Sequence, residues 1–202
     1  SRVAALLERL PSPMRRPRAL ALDASPLVQA LGARASLRAA TLLRSGPEGL
    51  AAPGPDLDVV VFLPPPASPE ASAVPAVLAV LEAALAPFVS SGARLYSLPE
   101  DPGYVEAESF LADLGIRKDR HALVFSWDAH SRPSQESLIH VVEEFRASMS
   151  LVALRDPYDG AFFPKARALA AVYGFSALTV RAGLSLASGR LRPSGNCPVA
   201  VL

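Results

Sequence analysis

The sequence predicts an α/β protein, a single three-layer αβα sandwich around a mostly parallel sheet of five to six strands. Two observations carry this. Strand-like and helix-like segments alternate along the chain. One of them, Asp58-Val-Val-Val-Phe-Leu63, carries a continuous run of apolar residues after its aspartate, the pattern of a strand covered by helices on both faces. With 202 residues, 50% of them hydrophobic and 19% charged, the chain has the material for such a core and is no disordered segment. The length suits one domain with some residues to spare. A (β/α)8 barrel of about 250 residues does not fit beside a second domain.

Taken in order, Val3, Leu6, Leu7 and Leu10 predict a short helix over Arg2 to Leu10, which the stiff Pro11 to Pro17 segment cannot continue. A second helix opens at Ser25-Pro26, an N-cap followed by proline in the first turn, and carries Leu27, Leu31, Ala35, Leu42 and Leu43 before the Gly/Pro-rich run Ser45 to Pro55. After the strand Asp58 to Leu63 come a helix over Val74 to Val89, a strand from Ala93 to Ser97, a helix from Gly103 to Leu114 and a strand from His121 to Ser126. Leu138, Val142, Phe145 and Met149 then fall at helical spacing in a helix capped by Ser134, and Ser150 to Leu154 is the fourth strand. A less regular helix is expected around Pro164 to Val172 and a very short strand at Phe175. A helix over Ser176 to Ala187, a stop at Gly189 and a terminal strand Val199 to Leu202 complete the reading.

Composition removes several function classes. The net charge of +1 argues against a protein that binds by neutralising many phosphates, so nucleic acid and membrane surfaces are not expected partners. Only Lys118 and Lys165 of the 20 basic residues are lysines, an arginine excess read as genomic bias. Cys197 alone cannot form an internal disulfide, and the three scattered histidines suggest no metal cluster, so neither a metal nor a cofactor is expected. No 18-residue apolar run or signal-type segment is evident.

In open parallel sheets ligands bind beyond the carboxyl ends of the strands. Those loops are Pro64-Pro65-Pro66, Leu98 to Asp101, Trp127 to His130 and Arg155 to Asp159. The triple proline replaces the glycines that a phosphate-cradling turn needs, so a nucleotide site is disfavoured. Asp128 and His130 form the most reactive-looking pair; at i and i+2 they can meet or miss each other, and turn chemistry alone accounts for both. Trp127 beside them packs on a neighbouring surface, or on a sugar if the loop lines a cleft. His140 belongs to a solvated helix face beside Glu136, Glu143 and Glu144, and His121 is structural. No nucleophile elbow exists, Ser185 is mid-helix, and Cys197 reads as a buried thiol. The residues by themselves therefore yield a fold class and a set of loops, and no activity.

Ser134-Gln135, Asp156-Pro157-Tyr158-Asp159, Tyr173-Gly174, Gly189, Pro193-Ser194-Gly195 and Pro198-Val199 nevertheless recur in the order and spacing of a known domain. The chain resembles the second, C-terminal domain of glycoside hydrolase family 3, and Ala35 to Arg44 is similar to that family's helix ending in Thr-Leu-Leu-Lys/Arg. Cys197 departs from the family's usual leucine. The resemblance implies that residues 1–18 are a helical connection and linker from a first domain, and that 19–202 are the sandwich. The first domain would be a (β/α)8 barrel that carries the aspartate nucleophile of a retaining glycosidase. The barrel would be this domain's partner, with a β-linked amino sugar as substrate through it, and the isolated chain would be inactive. In the glucosidase branches the second domain supplies a glutamate acid/base. The short Trp127-Asp-Ala-His-Ser-Arg-Pro133 loop lacks that carboxylate-rich segment, which points to the β-N-acetylglucosaminidase side. Trp127, Asp128 and His130 are then candidates to line the cleft, while Gln135, Asp156, Pro157, Tyr158, Asp159, Tyr173, Gly174, Gly195 and Pro198 are mainly structural. The rival expectations are a free-standing flavodoxin- or receiver-like binding module and an architectural dimerisation domain.

Overall fold

A computed structural model describes residues 26–46 and 49–197. The predicted helix Arg2–Leu10, the proline linker, Pro198 and the predicted strand Val199–Leu202 lie outside the described residues. The chain divides into two compact units, residues 1–32 and 33–202. Of the first, the described residues 26–32 lie in helix α1 (Pro26–Ala39).

The second unit is the expected three-layer sandwich. Its strands are β1 (Thr41–Ser45), β2 (Leu57–Leu63), β3 (Arg94–Pro99), β4 (Arg117–Ser126), β5 (Arg146–Ala153) and β6 (Ala168–Ala171), in the spatial order β1-β6-β5-β4-β2-β3. Only β1, at one edge, runs antiparallel to its neighbour β6. The helices are α2 (Val74–Leu85), α3 (Tyr104–Leu114), α4 (Pro133–Phe145), a short α5 (Asp159–Phe162) and α6 (Ala177–Ala187). The connection β2–α2–β3 steps one way along the sheet, whereas β3–α3–β4 and β4–α4–β5 step the other. Right-handed crossovers therefore put α2 on one face and α3 and α4 on the other. Helix α6 packs on α2 and joins its face.

Strand β2 fulfils its pattern: Val59, Val60, Val61 and Phe62 are fully buried, each side chain contributing about 1.5–3 kcal/mol of burial. On α6, a Cβ at Gly183 would stand 3.1 Å from Phe125 Cε1 and 3.2 Å from Val152 Cγ1, so the missing side chain lets this helix lie close to the sheet. Ser176 caps α6 through its Oγ, which accepts from the Thr179 amide at 3.2 Å, while Thr179 Oγ1 accepts from the Ser176 amide at 2.9 Å.

Five expectations need correction. Leu42 and Leu43 are not helical: α1 ends at Ala39, and Thr41–Ser45 forms the edge strand β1. Gly195 packs so tightly there that a side chain would run into the Ala39 carbonyl oxygen and stand 2.5 Å from Thr41 Oγ1. The predicted helix Pro164–Val172 is instead strand β6, preceded by the four-residue α5, and Phe175 is in no strand. Ala168-Leu-Ala-Ala171 has high helix propensity, but its position between β5 and β1 overrides it. Met149 lies in β5, because α4 stops at Phe145; a strand buried on both faces supplies apolar residues in any phase and extends a helical pattern across the junction. Arg132 rather than Ser134 holds the N-cap position of α4, with Pro133 as the first helical residue.

The helical run Pro69–Ser91, α2 with a 3-10 turn at either end, also contradicts the expectation that no 18-residue apolar stretch exists. By length and composition it is apolar enough to cross a membrane, with a mean hydropathy of 1.9. In this fold its Val77, Val80, Leu81 and Leu85 are buried in the sandwich core.

At the amino ends of the central strands lies a buried ionic cluster. Asp58 of β2 is fully buried. It accepts from Arg120 Nη2 at 2.6 Å and from Arg146 Nε at 2.6 Å. Arg120 Nε also donates to both Asp58 oxygens at 3.1 Å, and the two guanidinium groups reach main-chain carbonyls as well: Arg120 binds those of Leu57 and Gly92, and Arg146 those of Leu114, Gly115 and Phe145. Replacing Asp58 by Ala leaves two buried cations without their counterion. The expected loss is about 3–5 kcal/mol in urea unfolding, against no change when the exposed Lys165–Glu144 pair is removed as a control.

Candidate functional site

The carboxyl ends of the strands, opposite the Asp58 cluster, carry the loops singled out in the sequence. The chain leaves β2 toward β3 on one side and returns to β4 on the other, so the topological switch point lies between the carboxyl ends of β2 and β4. The Trp127–His130 loop leaves β4, and the Arg155–Asp159 loop leaves the adjacent β5.

Each loop is fixed by hydrogen bonds that its sequence provides. Gln135, fully buried at the start of α4, acts as a surrogate main chain. Its Oε1 accepts from the Trp127 amide at 2.8 Å, and its Nε2 donates to the carbonyls of Trp127 and Glu100 at 3.0 and 2.7 Å. One side chain thus ties the ends of β3 and β4 together. In the second loop Asp156 Oδ1 accepts from the Tyr158 amide at 3.0 Å, an Asx-turn, while Pro157 supplies its carbonyl to Gly160. Farther on, Tyr173 adopts a left-handed φ of 55°, its hydroxyl donates to Thr41 Oγ1 at 3.2 Å, and the Gly174 amide binds the Leu154 carbonyl. These motif residues do structural work in this fold.

The pair left open by the sequence resolves as a miss. Asp128 Oδ2 accepts from Arg155 at 2.5 Å, whereas His130 Nδ1 binds Asp159 Oδ1 at 2.8 Å. Asp159 is 1% exposed; its Oδ1 also accepts from the His130 amide at 3.0 Å, and its Oδ2 accepts from Ser126 Oγ at 2.5 Å. Because an ionised carboxylate can only accept, the proton of a neutral His130 sits on Nδ1, leaving Nε2 as the acceptor. Among the described residues no hydrogen bond occupies Nε2, and the side chain is 27% exposed. Tyr158 and Phe162 flank the imidazole at ring-centroid distances of 6.0 and 6.3 Å.

Trp127 is 2% exposed, set edge-on against Phe175 with the Arg155 guanidinium over its ring at 5.3 Å. It packs on its own domain, and in this chain its face is not open to a sugar. Asp128 has a left-handed φ of 52°. Burial pushes its carboxyl up and Arg155 pulls it down, but the nearby Asp156 and Asp159 reinforce burial, and the net direction is up. Of the histidines set aside earlier, His121 Nδ1 pairs with Ser148 Oγ at 2.7 Å across β4 and β5; the solvated-face reading of His140 needs correction, because its half-exposed ring lies 5.0 Å from that of buried Phe163 and the neighbouring Glu143 side chain is 8% exposed. Cys197 is half-buried rather than buried, beside a cavity of about 380 Å³ shared with Thr41 and Gly195.

Sequence reasoning missed Asp159 as the partner of His130. Both loops were recognised as strand ends, and the adjacency of β4 and β5 was the signal that would have joined them. It also missed that His130, Asp156 and Asp159 place potential metal-ligating atoms within 4.8 Å of one another. Within that group Asp159 Oδ2 accepts from Ser126, and its Oδ1 accepts from the amide of His130 and pairs with the imidazole.

Burial opposes the charged imidazolium, yet the Asp159 hydrogen bond and the charges of Asp159, Asp156 and Asp128 outweigh it and raise the His130 pKa. A raised folded pKa adds stability that is fully present below the unfolded value near 6.5 and disappears as pH rises through the folded value. The urea midpoint of the wild type should therefore fall across that window relative to His130→Gln. An NMR titration should place the His130 midpoint above 6.5 and the Asp159→Asn substitution should lower it; a wild-type midpoint at or below 6.5 would contradict this account.

No known sequence family matches the chain, and no curated protein matches it with significance. Solved structures do. A glycoside hydrolase family 3 β-N-acetylglucosaminidase from Paenibacillus sp. is 18% identical, with a TM-score of 0.70, and the match covers 100% of this chain but 39% of that one. A fungal multi-domain family 3 β-N-acetylglucosaminidase is 15% identical over 90% of this chain and 20% of its own, with a TM-score of 0.64. A β-glucosidase from Listeria innocua is 15% identical over 85% and 26%, with a TM-score of 0.61. At these identities the likeness is one of fold: the sandwich described here recurs as a part of family 3 enzymes, and the chain spans about two fifths of the Paenibacillus enzyme's length.

Proposed function

We propose that this chain is the second domain of a family 3-type glycosidase acting on β-N-acetylhexosaminides. One observation carries the reading: the whole chain superposes on a 39% portion of a family 3 β-N-acetylglucosaminidase, the arrangement of one domain within a larger enzyme. The ordered Gln135, Asp156-Pro157-Tyr158-Asp159, Tyr173-Gly174 and Gly195 positions agree with it, and Gln135, Asp156, Asp159 and Tyr173 make local hydrogen bonds in this fold while Gly195 packs against β1.

In this reading residues 1–18 lead from a (β/α)8 barrel, and residues 19–202 pack against it. The barrel holds the aspartate nucleophile and forms the covalent glycosyl-enzyme intermediate of a retaining reaction. This domain supplies a rigid surface beside the barrel's mouth, with its strand-end loops held by Gln135 and Asp159. Amino-sugar preference follows from the short Trp127–Pro133 loop, which carries no glutamate to serve as acid/base.

The chain by itself should not hydrolyse an aryl β-N-acetylglucosaminide. The polypeptide encoded by the complete reading frame should do so, with at least about tenfold preference in kcat/KM over the corresponding β-glucoside, about 1.4 kcal/mol of transition-state discrimination. Turnover by the purified 202-residue chain, or an inactive complete polypeptide, would rule the proposal out.

A further inference from the structure

The loop junction that orients His130 carries more anionic charge than the chain compensates. Asp128, Asp156 and Asp159 converge there, and among the described residues the guanidinium that meets them is that of Arg155, bound to Asp128 Oδ2. Asp128 is 9% exposed, and its other oxygen, Oδ1, is out of solvent with no hydrogen-bond donor. The Asp156 carboxyl stands close enough to Asp128 to share a hydrogen with it, so one acceptor faces another. Carboxylates placed in this way need a proton or a cation between them. A domain packing from outside does not supply the missing partner of Asp128 Oδ1, because this chain already covers that atom.

The imidazole completes a donor set. His130 Nδ1 lies 2.8 Å from Asp159 Oδ1 and 3.8 Å from Asp156 Oδ1, and the ligand atoms of the three residues lie within 4.8 Å of one another. A cation about 2.1 Å from each donor holds adjacent donors about 3.0–3.4 Å apart, a separation that the first two distances bracket. Asp159 is the prepared member. Ser126 Oγ holds its Oδ2 at 2.5 Å, and the His130 amide, at 3.0 Å, takes one of the two lone pairs on Oδ1. The His130 and Asp156 side chains are 27% and 35% exposed, so an ion has a way in past them.

We propose that His130 Nδ1, Asp156 and Asp159 bind one divalent first-row transition cation, Zn²⁺ or Mn²⁺ in kind, beside Asp128. One imidazole nitrogen among carboxylate oxygens suits these ions, whereas Mg²⁺ and Ca²⁺ take oxygen ligands. The bond from metal to Nδ1 replaces the Nδ1–H bond to Asp159. A neutral imidazole passes that proton through water to its free Nε2, and an imidazolium releases it to solvent. A dication beside the neutral imidazole balances the three carboxylates and one guanidinium. The ion would tie the loop after β4 to the loop after β5, and this assignment stands apart from the glycosidase reading.

The test is calorimetric titration of this chain, stripped by a chelator, with ZnCl₂, MnCl₂, MgCl₂ and CaCl₂. The expected result is one Zn²⁺ per chain with a dissociation constant of about 1–10 µM, and Mg²⁺ and Ca²⁺ at least about tenfold weaker. His130→Gln and Asp156→Asn should each weaken Zn²⁺ binding at least about tenfold. The asparagine oxygen can still accept from the Tyr158 amide, so the metal-free thermal midpoint of Asp156→Asn should stay where it is. His140→Gln and Cys197→Ser, which remove the imidazole beside Glu136 and Glu143 and the free thiol, should leave the affinity unchanged. In NMR spectra, substoichiometric Mn²⁺ should broaden residues 126–131 and 155–160 first. No saturable Zn²⁺ binding up to about 1 mM, or Mg²⁺ and Ca²⁺ bound as tightly as Zn²⁺, would overturn the site. Unaltered affinity in both His130→Gln and Asp156→Asn, or binding lost in His140→Gln or Cys197→Ser, would do the same.

Discussion

The buried carboxylate of Asp58 is the constraint on which the rest of the sandwich depends. It lies at the beginning of β2 and binds one arginine preceding the buried part of β4 and another opening β5. Three parallel strands are thereby held at one end by a single anion. A register slip of one residue would turn Val59, Val61, Leu123 and Phe125 to the opposite face and withdraw Arg120 or Arg146 from Asp58. The cluster holds two cations against one anion, which would be unfavourable in an apolar interior if the carboxylate were the only compensation. The balance is made by carbonyl dipoles. Arg146 meets the carbonyls of Leu114 and Gly115 at the carboxyl end of α3, the negative pole of that helix, and Arg120 meets those of Leu57 and Gly92. Gly92 is suited to this place, since its φ of 112° is a conformation that other residues rarely adopt.

Fixing the strands at their amino ends sets what meets at their carboxyl ends. In the β4–β5 ladder Ser126 stands beside Ala153, and the loops that follow are brought together from there. Asp159 reaches back to Ser126 and across to His130, a contact spanning 29 residues. The two ends of the sheet follow one rule: a buried carboxylate is tolerated where several donors converge on it. At the amino end those donors are arginines and the result is rigid. At the carboxyl end they are a hydroxyl, an amide and an imidazole, and one nitrogen of that imidazole remains available.

Much of this fold was legible in the sequence, and the failures share a physical origin. Strand β2 and helix α6 carry strong local signals, an unbroken β-branched run and a Ser-initiated capping box, and both are where the pattern puts them. Strands β1 and β6 do not, because Leu42-Leu43 and Ala168-Leu-Ala-Ala171 are compatible with a helix, and only their pairing with each other and with β5 makes them strands. Phe145 and Met149 continued one apolar period across a helix–strand junction marked only by Arg146, whose partner Asp58 is 88 residues away. Likewise Asp128 and His130 looked like partners because they are close in sequence, whereas each pairs with a residue from the next strand's loop. Local propensity and motif spacing were readable; pairings set by strand adjacency required the sheet order.

That distinction also explains why family-like positions and chemically poised positions differ here. Gln135, Tyr173, Gly174 and Gly195 perform tasks that any domain of this shape requires: joining strand ends, turning the chain after β6 and closing the edge at β1. His130, Tyr158 and Phe162 are not needed for those tasks, and the fold leaves all three partly exposed. Among the described residues His130 Nδ1 is held by Asp159, and no side chain is hydrogen-bonded to its Nε2.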